Sequence, residues 1–242
     1  MTRRSAIPPL PPGPIAAAHV TVEIRGDGES PGGRLVLMDG VEASHVDLAD
    51  PTRVTFEYLR HITRLVDAAV PAPRPVEAVQ VGGGPCTLAR WILATRPGSR
   101  VTVVERDPGV VRAARDWLGL RPSPHLRVVV GDGREEVARL PSASADLLVV
   151  DAFEGVVAPP RLVSTGFLAE ALRVLRPGGI HVVNMIDVPP LGYAAAVAAT
   201  MAAHLPSVAL MADPRVLAHR SSGNLVIAGS PAPLPVAPLE RG

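Results

Sequence analysis

Three glycines, Gly82, Gly83 and Gly84, follow the apolar run VEAVQV and precede CTLARWILATR. Glycines placed there let the backbone turn tightly and approach a ligand, and the helix behind them offers free N–H groups. Glu105 ends the next apolar run, RVTVVE, and Arg106 follows it. An acid about 20 residues beyond a glycine turn is suited to gripping the two hydroxyls of a ribose. Asp132 stands in GDG, between Gly131 and Gly133, after LRVVV. A carboxylate in that place can accept from an adenine amino group, or cap the helix that follows. Asp151 directly follows ADLLVV, and Glu154 comes three residues later. A carboxylate closing an apolar strand is costly to desolvate, so a hydrogen bond or a chemical task has to compensate.

These residues need a frame that brings strand ends together. From residue 76 onward apolar runs alternate with helical patterns. The strands are VEAVQV, RVTVVE, LRVVV, ADLLVVDAF and IHVVNMI, and the helices include CTLARWILATR, PGVVRAARDWLGL, REEVARL and LVSTGFLAEALRVL. RPGG is expected to end the last of these helices, and YAAAVAATMAAHL, SVALMA and NLVIAG complete the pattern. Strands with continuous apolar runs have both faces covered. The alternation predicts an α/β fold with a doubly wound, mostly parallel seven-stranded sheet, in which ligands bind beyond the carboxyl ends of the strands. Upstream, residues 19–50 predict a small β unit with a hairpin at Asp39–Gly40. PTRVTFEYLRHITRLVDAAV then predicts a helix carrying Phe56, Leu59, Ile62, Leu65 and Val66, so the Rossmann-like, ligand-binding unit is expected to span 51–230. The Pro-rich ends, 1–18 and 231–242, are expected to be loose or extended tails.

Composition narrows the function further. The formal charge is +1 with no basic stripe, so neither nucleic acid nor a membrane surface is expected as a partner. All 24 basic residues are arginine, which excludes Schiff-base chemistry and a lysine-based phosphate loop. The one cysteine, Cys86, permits no internal disulfide and fits a reducing cytoplasm. His45 and Asp47 are close, but no histidine set has metal-ligand spacing, so no metal is expected.

Two cofactor classes could use the layout. A dinucleotide site wants G-x-G-x-x-G, and Gly82-x-Gly84-x-x-Thr87 lacks the third glycine while leaving Asp132 and Asp151 without a task. An S-adenosyl sulfonium uses glycines, a ribose acid and an adenine acid at successive strand ends, and fits better.

The segments MDGVEASHVDLADP, VGGGPCTLAR, VTVVERDPGVV, VVGDGREEV, ADLLVVDAFEG and RLVSTGFLAEALRVLRPGGIHVVN, in that order over roughly 35–185, resemble the polyamine aminopropyltransferase (spermidine synthase-like) family, in wording closest to an actinobacterial branch. The resemblance implies a methyltransferase-like fold behind a small N-terminal β domain, and a homodimer. It implies S-adenosylmethionine or its decarboxylated form as donor, held by Gly82, Gly83, Gly84, Glu105, Arg106, Asp132 and Gly133. It puts Asp151 at the catalytic aspartate and Glu154 at a second acid that helps hold a small-molecule amine. Three departures stand out. The family's glycine motif continues with Asp, here Pro85. The Gln after the DG turn is replaced near Ala43. The Tyr or His before the first helix's Glu is Phe56, leaving Glu57 and His61 as the nearest matches. The nucleoside half of the site is thus intact and the aminopropyl and polyamine half eroded. A small-molecule methyltransferase and a non-catalytic adenosyl-binding protein remain the alternatives.

Overall fold

The structure is a computed structural model that describes residues 7–121 and 123–235. The first sheet has four antiparallel strands in chain order, β1 (Ile15–Ala16), β2 (Thr21–Gly26), β3 (Gly33–Met38) and β4 (Val41–Asp47). Met38 pairs with Val41 across Asp39 and Gly40, both at positive φ, the backbone a two-residue hairpin demands. Asp27 joins His45 (2.8 Å) and Arg53 (2.6 Å), so the close pair His45 and Asp47 belongs to a structural ion network.

The second sheet holds seven strands. They are β5 (Glu77–Val81), β6 (Arg100–Glu105), β7 (Leu126–Val130), β8 (Ala145–Val150), β9 (Leu175–Asp187), β10 (Ser207–Ala212) and β11 (Gly223–Ser230), in the order β10-β11-β9-β8-β5-β6-β7. β11 alone runs against its neighbours β9 and β10. Both faces are covered, as the unbroken apolar runs require. Leu147 and Val149 of β8 face a core shared with α1 (Glu57–Ala69), α2 (Thr87–Thr95) and α3 (Pro108–Trp117). Leu148 and Val150 face a second core under α4 (Gly133–Ala138), α5 (Thr165–Val174) and α6 (Gly192–Ala202). Val36 and Val46 of the first sheet enter the core of the α1–α3 side, so the two sheets share apolar packing.

Several boundaries differ from the sequence pattern. α1 starts at Glu57, one residue after Phe56, which occupies the N-cap in an extended conformation. α5 ends at Val174, just before RPGG, as the pattern predicts. β9 nevertheless begins at Leu175 and runs 13 residues; Ala145 pairs with Leu175 and Leu147 with Ile180, so RPGG is an irregularity in the ladder opposite Asp146, which Arg176 meets at 3.0 Å. A short helix, α7 (Pro214–Leu217), was not expected; Asp213 caps it. The segment 7–18, expected to be loose, is fastened: β1 pairs with β2, and Arg34 Nη2 donates to the Pro8 carbonyl at 3.0 Å. Residues 1–6 and 236–242 lie outside the described residues, and Leu234 is buried against the core. Among the described residues no helix is long and apolar enough to cross a membrane.

Candidate active site

Parallel strands joined by right-handed crossovers point their carboxyl ends the same way, so β5, β6 and β8 deliver their terminal residues to one edge. The β3–β4 hairpin and the start of α1 close over that edge. Between them lies a cleft of about 320 Å³.

The glycine turn forms one wall. Gly82 takes φ +84°, and a Cβ there would collide with the carbonyl of Asp151, so the first glycine is required both by its backbone and by the strand beside it. Glu105 organises the turn from β6. One carboxylate oxygen accepts from Gly83 N (3.0 Å) and Gly84 N (3.1 Å), and the other from Asp107 N (3.0 Å). The acid thus holds two loops at once and lines the cleft beside Arg106. Cys86 opens α2 at φ +62° and is buried, and burial pushes its thiol up to about 12, which leaves it unreactive.

Asp151 lies on the floor at the end of β8. Its Oδ1 accepts from Asn184 Nδ2 at 2.7 Å and its Oδ2 from the Tyr58 hydroxyl at 3.3 Å. Asn184 Oδ1 in turn accepts from Asn224 Nδ2 at 3.1 Å. Burial pushes the Asp151 carboxyl up to about 6, against the two hydrogen bonds, which favour its charged form; the nearby negative charge of Glu105 adds to the rise. Burial, and then the charge of Asp151, hold the Tyr58 hydroxyl well above its ordinary range, so Tyr58 stays protonated as a donor. Phe56 packs edge-on against Tyr58, with ring centroids 6.1 Å apart.

Not every expected residue joins this group. Glu154 sits at the rim, half exposed, where its carboxylate is shared by Arg106 (2.8 Å) and Arg161 (3.1 Å). Asp132 caps α4, accepting from Arg134 N (2.9 Å) and Glu135 N (3.3 Å), and its other oxygen pairs with Arg161. Its neighbours Gly131 and Gly133 line the cleft; the Asp132 side chain does not. Glu57 and His61 lie outside the cleft, 3.7 Å from one another. Pro85, Ala43, Val41, Met38 and Phe56 make the hairpin side largely apolar. Among the described residues no group of three or more His, Cys, Asp and Glu side chains is placed to hold a metal.

Sequence reasoning missed Tyr58, Asn184 and Asn224. Asn184 carried a signal, since an amide inside the apolar run IHVVNMI has to be hydrogen-bonded when buried. Asn224 could be placed only once β11 was known to run antiparallel, which brings its first residues, rather than its last, to the edge of the site.

A family model described as a methyltransferase domain matches residues 79–183. A polyamine aminopropyltransferase of Vibrio vulnificus is 32% identical over 143 residues, which cover 57% of this chain and 46% of that protein. Polyamine aminopropyltransferase 2 of Streptomyces coelicolor is 34% identical over 155 residues, 60% of this chain and 28% of that protein. The matches thus span less than half the length of these curated relatives. The crystal structure of a probable spermidine synthase from Corynebacterium glutamicum aligns with a TM-score of 0.85 and 32% identity, over 91% of this chain and 80% of that one. With 32% identity over 91% of this chain and 80% of that one, the chain belongs to the spermidine synthase-like family of polyamine aminopropyltransferases.

Proposed function

We propose that the protein transfers an alkyl group, in the first instance aminopropyl, from an adenosyl sulfonium to a small-molecule amine. The observation that carries this reading is Asp151, a carboxylate raised to about 6 on the floor of the cleft whose glycine wall is held by Glu105. In this reading Glu105 grips the ribose, the Gly82–Gly84 turn lets the backbone approach the donor, and Gly131 and Gly133 flank the adenine. Asp132 acts there by fixing the loop it caps. Arg106, Arg161 and Glu154 form a charged cluster at the rim, lining the same cleft as Asp151.

An alkylamine is protonated at neutral pH and cannot attack until it loses a proton. Asp151 takes that proton. The freed nitrogen pair forms the N–C bond to the methylene beside sulfur, the C–S bond breaks, and its electron pair stays on sulfur, so methylthioadenosine leaves neutral. Tyr58 and Asn184 hold the carboxylate toward the amine. A base near 6 is mostly ionised at pH 7 and still close enough in affinity to exchange protons, the balance general-base catalysis favours.

The base works in its ionised form, so turnover is expected to rise with pH through a midpoint of about 6 and to fall roughly tenfold per pH unit below it. A steady-state profile that stays flat down to pH 4.5 would remove Asp151 from the proton transfer.

Pro85 favours a second reading, methyl transfer from S-adenosylmethionine. It is buried at the donor wall and provides no carboxylate to accept from the aminopropyl ammonium. Pro85→Asp is expected to move relative affinity toward decarboxylated S-adenosylmethionine by about two- to fivefold, the scale of a partly solvated ion pair. Calorimetry with both donors measures the ratio, and a thermal melt checks that the variant folds. An unmoved ratio in a folded variant means position 85 does not face the donor's amine.

Incubation with each sulfonium and an amine pool, read by mass spectrometry, decides between the readings. Methylthioadenosine supports alkyl transfer from the decarboxylated donor, and S-adenosylhomocysteine supports methyl transfer. Neither product, with methylthioadenosine still bound, would leave an adenosyl-binding protein without turnover.

A further inference from the structure

We infer that Ile15–Val20 form a strap over the adenosyl end of the cleft and that His19 on this strap is a further ligand-binding residue. The inference rests on the adenosyl reading above.

The strap is built for this position. Ile15 and Ala16 pair with Val22 and Thr21 of β2, and Ala17 N donates to Val20 O at 2.9 Å, which folds the segment into a tight turn. The N–H groups of Ala18 (3.0 Å) and His19 (2.6 Å) then donate to the two oxygens of Asp107, 89 and 88 residues away. Asp107 is buried and already caps α3 through Gly109 N at 2.7 Å. A cap needs no such distant donors; their effect is to fasten the strap to the loop after β6. That loop is the one Glu105 holds through Asp107 N. A continuous chain of contacts therefore runs from the glycine turn through Glu105 and Asp107 to the strap.

Close backbone approach supports the same docking. A Cβ on Gly109 would lie 2.5 Å from the Cα of Ala17, so only glycine lets the strap seat against the start of α3. Seated there, His19 and Val20 line the cleft beside Arg106 and Val110. The His19 side chain is exposed, so it contributes little to the fold. Its place on the cleft wall gives it a polar, planar ring where a nucleoside would be covered.

The test is calorimetric titration of methylthioadenosine into the full chain as wild type, His19→Ala and Gly109→Ala, with thermal melts of each. Hydrogen exchange of residues 15–20 is followed with and without the nucleoside. His19→Ala is expected to bind about three- to tenfold more weakly, the equivalent of one lost hydrogen bond, with an unchanged melting temperature. Gly109→Ala is expected to lose at least as much by lifting the strap, and the Ala18 and His19 amides to exchange more slowly when ligand is bound. Wild-type affinity in a folded His19→Ala protein, or exchange that ignores the ligand, overturns the inference and leaves the adenosyl reading standing. No binding by the wild type overturns both. Should Gly109→Ala fail to fold, His19→Ala and the exchange data decide.

Discussion

Asp151→Asn is expected to lower turnover by about 10²–10⁴-fold, the usual contribution of a general base, while methylthioadenosine affinity changes little. Asparagine keeps the volume and can still accept from Tyr58 or Asn184, so the fold has little reason to suffer. It cannot take a proton from an ammonium. Two measurements on one variant separate this from a structural role: single-turnover formation of methylthioadenosine, and thermal melting. A structural aspartate would show a lowered melting temperature and a rate that recovers once folded protein is counted. A folded Asp151→Asn protein turning over like wild type would end the base assignment. Its pH profile carries an independent check, because the acid limb near 6 has to vanish with the carboxylate.

Glu105→Ala is expected to weaken methylthioadenosine binding by about 1–3 kcal/mol, the scale of hydrogen bonds to a charged group. The variant loses more than a ribose contact. Gly83 N, Gly84 N and Asp107 N all lose their acceptor, so the glycine turn and the strap's anchor loosen together, and the melting temperature is expected to fall as well. Glu105→Gln separates the two effects, since the amide oxygen still accepts and the amide nitrogen cannot. An intermediate affinity with near-wild-type stability is expected. If Glu105→Ala lowers stability and the folded fraction still binds the nucleoside with wild-type affinity, Glu105 shapes the loop and does not touch the ligand.

The frame of the site was written in local patterns. Unbroken apolar runs such as ADLLVV, separated by helices, specify strands covered on both faces, and parallel crossovers oblige their carboxyl ends to share an edge. That alone placed Gly82, Glu105 and Asp151 around one cleft without any side-chain detail. The same patterns could not choose between partners. Asp132 has the sequence of both a cap and a ligand contact, and the arrival of Arg161 from 29 residues away, beside the free N–H groups of α4, gives its carboxylate to the cap. Glu154 likewise is committed to two arginines, one of them 48 residues distant, that no spacing rule connects to it. Tyr58 reaches Asp151 across 93 residues because α1 is packed where its N-terminus meets the sheet edge, and Asn224 reaches Asn184 because β11 alone runs backwards. Sequence determined which edge carries the chemistry, since strands joined by helical crossovers run parallel and bring their carboxyl ends together. Tertiary structure decided which carboxylate is buried and which is neutralised by an ion pair, because desolvation and pairing depend on groups that only packing brings within a few ångströms.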